Sequence, residues 1–204
     1  GRVFDPGGCC QGEGKPGGTV MDMWSLPTRA VFDGRTYTLH TDYRDILEIF
    51  SYLNDPELPE FLRWQIALAL FYEEPVERHH QLQAMEYFSR FVTGGEPPSA
   101  PGPKLIDWQQ DGDMIVSDIN RVAGQEIRSL PYVHWWTFLS WFHAIGQGQL
   151  SNVVSIRDKI ARGKKLEDWE KEFYRQNKHR VELKKRYTRQ ELQEREKLQR
   201  LLEG

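Results

Sequence analysis

Six histidines, at positions 40, 79, 80, 134, 143 and 179, are the side chains best suited to proton transfer or metal ligation in this 204-residue chain. Imidazole titrates near neutrality and binds zinc through either ring nitrogen, so the question is whether any stand at ligand spacing beside a carboxylate. No His-Glu-x-x-His pair occurs. Glu77, His79 and His80 lie too close in sequence to share a helix face, where neighbours recur at three and four positions. They read as structural or solvated histidines. Cys9 and Cys10 are adjacent and are the only cysteines, which leaves no disulfide framework and no four-ligand zinc site.

The run "DWQQDGDMIVSD", Asp107 to Asp118, half matches a calcium loop, with Asp107, Asp111 and Gly112 at its first, fifth and sixth positions. Gln109 stands where a carboxylate or shorter amide is favoured, and Asp118 is too short to close the loop as a bidentate glutamate does. A capped helix start, with acids placed favourably for the helix dipole, accounts for the same letters. Glycine-rich phosphate loops, nucleophile elbows and activated cysteines are all missing from the sequence. The chain is therefore not read as an enzyme, and no metal or cofactor is expected.

The elements that must position these residues are mainly helices. With 39% hydrophobic and 28% charged residues, the composition suits one globular domain with a sizeable core. Its longest apolar runs, such as Ile66 to Tyr72, fall well short of the ~20 residues a bilayer span requires, and no signal segment opens the chain. Charge is uneven: from Ser155 onward 16 lysines and arginines face 10 acids, against 11 and 20 before it. Residues 1–20 are glycine-dense and without periodicity, so they read as a disordered leader, either upstream sequence or a cloning remnant. On the first reading, Gly17-Gly18 are a ribosome-binding site read in frame and the natural chain begins at Met21.

"RAVFDGRTYTLH" predicts a hairpin turning at Asp33-Gly34. Thr41 or Asp42 caps a helix carrying Tyr43, Ile46, Leu47, Phe50 and Leu53, stopped at Asn54-Asp55-Pro56. A second helix starts after Pro59 and is apolar nearly all round, which predicts burial on more than one side. From Val76 to Val92 a third presents Leu82, Met85, Phe88 and Phe91 or Val92, and Gly94-Gly95 ends it. After the loop "GGEPPSAPGPK", a helix from Asp111 to Ala123 carries Met114, Ile115, Ile119 and Val122 and closes at Gly124. Leu150, Val153, Val154 and Ile160 mark another, ending near Gly163. Residues 21–163 thus read as a compact helical domain with a small N-terminal β-hairpin. Residues 164–204 read as a long charged C-terminal helix, touching the body sparsely at Trp169, Phe173, Tyr187, Leu192 and Leu198.

One stretch stands apart. Between Trp135 and Phe142, three tryptophans and two phenylalanines fall within eight positions that hold no charge. Ser129 is placed as the cap of this helix, with Pro131 in its first turn. Trp135, Phe138, Leu139 and Phe142 share a face that serves as core, while Trp136 or Trp141 is left over as an exposed indole, the mark of a protein-binding patch. The binding candidates are Trp135, Trp136, Phe138, Trp141 and Phe142.

The blocks "YTLHTDYRDILEIFSYLNDPELP", "WQIALALFYEEP", "IDWQQDGDMIVSDINRVAG" and "LPYVHWWTFLSWFHAIG" resemble, in that order, those of the bacteriophage gene-product-fifteen family of long-tailed phages and prophages. The resemblance runs from about Arg29 to Tyr187, and its most specific parts are His134-Trp135-Trp136-x-Phe138 and Gln110-Asp111-x-Asp113-x-Ile115. Gly124-Gln125-Glu126-Ile127 and the tail after Tyr187 depart from the family pattern. The resemblance implies a non-enzymatic tail assembly chaperone in the host cell cytoplasm. Such a protein holds the tape-measure protein soluble until tail-tube subunits polymerise around it. Tail-tube protein and a second copy of the chain are further partners; a membrane is not, and nucleic acid is not expected, because Glu167, Asp168, Glu170 and Glu172 dilute the basic tail. Rival readings are a minor tail or connector component kept in the virion and a nucleic-acid-binding regulator. Gly163-Lys164-Lys165 allows a slippery codon run and a longer frameshifted product.

Overall fold

The computed structural model describes residues 24–97 and 102–202. The leader, Met21 included, therefore lies outside the described residues, as does the centre of the proline-rich loop. β1 (Arg29–Phe32) and β2 (Arg35–Thr38) pair antiparallel, Ala30 facing Tyr37, around a turn with Asp33 at φ 49° and Gly34 at φ 83°. Two successive positive φ angles are what a tight hairpin turn of this hand demands, and Asp-Gly supplies them cheaply. A two-stranded hairpin is marginal in water. This one is braced by the chain that follows residue 71: the His40 amide donates to the Phe71 carbonyl (2.8 Å) and the Glu73 amide to the Thr38 carbonyl (3.1 Å). On its inner face Phe32 and Tyr37 lie with ring centroids 5.5 Å apart and, between them, meet Tyr72, Tyr87 and His80 at 5.8–6.1 Å.

α1 (Tyr43–Leu53) is capped by Asp42, whose Oδ1 accepts from the Arg44 amide at 2.9 Å. α2 (Glu60–Phe71) follows Pro59 as expected, and α1 packs more extensively against it than against any other element. Burial of α2 on several sides holds only in its second half, where Ala67, Leu68 and Phe71 are enclosed; Phe61 is 67% exposed. α3 (Gln81–Val92) also differs from expectation. Glu77 is extended, Arg78–His80 form one 3-10 turn, and the helix then buries Ala84, Tyr87, Phe88 and Phe91, leaving Leu82 68% exposed. That stripe carries three rings at ideal helical spacing and wins over the Leu82–Met85 stripe on buried area. Extended backbone at Glu77 followed by this short turn leaves ligand atoms of Glu77, His79 and His80 within 4.8 Å of one another, outside any regular helix face.

α4 (Gly112–Ala123) buries Met114, Ile115 and Ile119 and ends at Gly124 with φ 69°. α5 (Trp135–His143) starts later than Ser129. Ser129 instead closes a 3-10 turn, and Pro131 precedes an extended segment whose backbone bonds go to the entrance of α1. There the Val133 amide donates to Asp42 Oδ2 (2.9 Å), the Tyr43 amide to the Val133 carbonyl (3.0 Å) and the Trp135 amide to the Thr41 carbonyl (2.7 Å). Those long-range bonds satisfy the backbone without a helical turn, so the cap falls on His134, whose Nδ1 accepts from the Trp136 amide at 3.0 Å.

α6 (Gln149–Ala161) begins beside Asp118, whose Oδ2 accepts from the Leu150 amide at 3.3 Å. A Cβ on Gly148 would sit 2.6 Å from the other Asp118 oxygen, so glycine is required there. The buried face of α6 is Leu150, Val153, Ile156 and Arg157, with Ile160 turned outward. The long C-terminal helix is replaced by short ones: α7 (Asp168–Gln176), α8 (Lys178–Val181), an extended stretch, then α9 (Arg189–Leu202). Arg157 is the reason. Its guanidinium donates to both Asp111 oxygens (2.6 and 2.8 Å) and to the carbonyls of Leu105 (2.7 Å), Arg180 (2.6 Å) and Val181 (2.7 Å). Two of those carbonyls belong to α8 and could not turn inward from a continuous helix aimed at solvent. No helix among the described residues is long and apolar enough to cross a membrane.

Breaking this buried pair has a defined cost. Asp111→Ala should destabilise the chain by about 3–5 kcal/mol in urea unfolding, since it strands a buried cation, and Asp111→Leu with Arg157→Met should not restore stability, because the carbonyls of Leu105, Arg180 and Val181 then lose their donor. A single-variant loss below about 1 kcal/mol would show the pair to be dispensable.

Candidate protein-docking surface

The structure divides the five aromatic binding candidates. Trp135, Trp136 and Phe138 lie in the core. Their burial has a polar logic as well as an apolar one: Trp135 Nε1 donates to the Val92 carbonyl (3.1 Å) and Trp136 Nε1 to the Phe91 carbonyl (2.9 Å). The last carbonyls of a helix lack partners within it, and here two indoles from α5 close the end of α3. Phe138 stacks on Tyr43 at 4.8 Å and on Trp135 at 5.3 Å. Trp141 and Phe142 are half-buried, Phe142 resting on Trp108 at 5.0 Å. Of the two indoles left open by the sequence, Trp141 is the more accessible.

An open apolar surface lies elsewhere, where α2 meets α3. An open depression of about 400 Å³ is lined by Phe61, Trp64, Leu68 and Met85, with Glu60, Gln65 and Gln81 around it. Leu82 stands outside it, three positions before Met85 on α3. Trp64 is fixed from beneath by Phe88, edge to face at 6.2 Å. Aromatic walls, an adaptable methionine and a rim of two glutamines and one glutamate suit the apolar stripe of an amphipathic helix. The signal was present in the sequence: α2 is apolar on more faces than its neighbours can cover, and the surplus marks the surface.

Electrostatics hold the frame around these helices. Burial works to raise the Asp107 carboxyl, but the Lys104 ammonium, the Gln110 amide and the Arg186 guanidinium outweigh it and hold it at about 2. Arg186 lies 3.2 Å from that carboxylate and so ties the extended stretch after α8 to the start of α4. His134 is shifted the other way. Burial lowers its pKa from 6.5, against a smaller opposing effect from the Pro27 carbonyl, 3.1 Å from Nε2. Accepting at Nδ1 and donating at Nε2 fixes one neutral tautomer, which caps α5 only while the ring is uncharged.

With this geometry in view, comparison with known families is informative. The family model described as bacteriophage Gp15 protein matches residues 25–183. The chain belongs to that family. No curated protein and no solved structure gives a significant match. The match to the Gp15 family takes in the hairpin, the α2–α3 depression, α5 and the Asp111–Arg157 pair, and stops before α9.

The neutral cap gives a signed pH dependence. Because the folded pKa of His134 lies below the unfolded one, its contribution to stability is full above pH 6.5 and is lost as pH falls through and below that value. Thermal unfolding of wild type and His134→Asn between neutral and mildly acidic pH should show a shallower acid-side decline in the variant, where an amide oxygen caps without titrating. Parallel declines would remove His134 from that role.

Proposed function

We propose that this Gp15 protein is a non-enzymatic tail assembly chaperone that binds the phage tape-measure protein in the host cytoplasm during tail morphogenesis. The observation that carries the reading is the open apolar depression between α2 and α3, flanked by the exposed Phe61 and Leu82. A tape-measure chain is long, helical and apolar along one face, and before the tail tube encloses it that face needs cover. A rigid body offering a methionine- and aromatic-lined depression supplies it, with the charged surface keeping the complex in solution. Tail-tube subunits would displace the chaperone as they polymerise.

The basic C-terminal segment supports this reading over the nucleic-acid one. Several of its cations already face carboxylates of this chain: Lys171 with Asp168, Arg175 with Glu172, Lys178 with Glu182 and Arg186 with Asp107. Phosphate tracking needs cations whose counterions are free to leave, and these are partly neutralised in place.

The test is co-expression. The double substitution Phe61→Ser with Leu82→Ser should leave the fold stable to within about 1 kcal/mol, as exposed positions do, yet lower the soluble yield of a co-expressed tape-measure chain about tenfold. Ile160→Ser, 46% exposed on α6, should leave that yield unchanged. Equal rescue by both variants would move the binding surface elsewhere. Abundant peptides of this chain in purified mature tails would favour a retained tail component instead.

A further inference from the structure

The connection between α2 and α3 holds a second feature, unrelated to the apolar depression. We infer that Glu77, His79 and His80, with Asp33 from the hairpin turn, form a binding site for a borderline divalent cation of the Zn²⁺ class. The first ground is convergence: ligand atoms of Glu77, His79 and His80 lie within 4.8 Å of one another. The second is the state of His80. Its side chain is only 3% exposed, and Nε2 has no hydrogen-bond partner among the described residues. The nearest carboxylate oxygen, Asp33 Oδ2, stands 3.4 Å from that nitrogen without hydrogen-bond geometry.

An orphaned polar atom at such depth costs about 1–3 kcal/mol, so the arrangement asks for a partner. The other ring nitrogen leaves two cases. His80 Nδ1 is 2.8 Å from the Tyr37 hydroxyl, which can donate to it or accept from it. With Tyr37 as donor, Nε2 carries a buried proton that reaches no acceptor; with Tyr37 as acceptor, Nε2 carries a buried lone pair. A cation satisfies the second case, and a metal-bound imidazole whose far nitrogen donates to a fixed oxygen is the usual supporting arrangement. Phe32 and Tyr37 pack against the ring at 5.9 and 5.8 Å and hold it in place.

The remaining ligands are free to close in. His79 is 66% exposed and already 3.3 Å from Glu77 Oε2, and Asp33 is 69% exposed at the hairpin tip. Zn²⁺ takes imidazole nitrogen and carboxylate oxygen at ~2.0–2.2 Å, so closing the cluster requires side-chain movement on the order of 1 Å. Two nitrogens and two oxygens suit Zn²⁺ or Co²⁺ better than the all-oxygen preference of Ca²⁺ or Mg²⁺. Arg35, which pairs with Glu77, is the competing cation and would have to swing away. A bound ion would clamp the hairpin turn to the α2–α3 connection, two segments far apart in sequence.

The experiment uses the full chain without an affinity tag, carrying Cys9→Ser and Cys10→Ser so that thiols take no part, and titrates it with ZnCl2 in a calorimeter. One equivalent should bind, the unfolding temperature should rise, and amide exchange across residues 29–38 should slow. CoCl2 should give visible bands of a nitrogen–oxygen site at the same stoichiometry. His79→Ala and Glu77→Gln should each weaken Zn²⁺ binding at least about tenfold, whereas His143→Ala should leave it unchanged. His80 is left in place because its burial would confound ligand loss with misfolding. Absence of saturable uptake, or uptake that survives both ligand substitutions, overturns the site.

Discussion

The C-terminal half of this protein depends on one guanidinium. Arg157 has five N–H donors, and the structure gives each an acceptor: two carboxylate oxygens of Asp111 and the carbonyls of Leu105, Arg180 and Val181. Burying a cation is tolerable only when its donors are all met, and here that condition fixes the positions of α4, α6, α8 and the segment leading into α4 at once. Asp111 is committed in turn, since its Oδ2 also accepts from the Asp107 amide at 2.9 Å. A half-made version of this network would be worse than an apolar core, so these segments order together or not at all.

The N-terminal half solves a related problem with aromatic rings. The indoles of α5 complete the carbonyl end of α3, and the entrance of α5 is stitched to the entrance of α1 through Asp42 and Val133. Rings that fill the core and also donate hydrogen bonds cannot be withdrawn to meet a partner without opening the end of another helix. That is why the densest aromatic run in the chain is structural in its first turn, and why the accessible surface shifts to α2, whose exposed face supports nothing else.

The helices, the hairpin turn and most stop signals were legible because each rests on local chemistry: positive φ at Asp33-Gly34, Pro59 before a helix, Gly124 after one. What the sequence obscured was set by distant partners. The start of α5 moved from Ser129 to His134 because extended backbone bonds to Thr41 and Asp42 satisfy the same amides. The C-terminal helix broke because Arg157, standing on the apolar stripe of α6 between Val153 and Ile160, draws carbonyls toward itself. A lone arginine on an apolar stripe, matched by Asp111 in an aspartate-rich block otherwise read as a helix cap, is the available sign. Glu77, His79 and His80 escape a helical spacing rule because Glu77 is extended and only the two histidines lie in the short turn with Arg78.

On the proposed chaperone reading, stability and recognition are carried by separate surfaces, and that separation would matter for a protein that has to release what it holds. Exposed Phe61 and Leu82 cost the free chain solubility more than folding energy, since unfolding would not hide them either. Covering them gains affinity without reorganising the core, because Trp64 is already braced by Phe88 and the depression needs little ordering on binding. A shallow, open surface also favours fast exchange over permanent burial. On that same proposal, such a surface would yield readily if polymerising subunits competed for the same apolar face, whereas a site built on Trp135 and Trp136 would have to unmake α3 to let go.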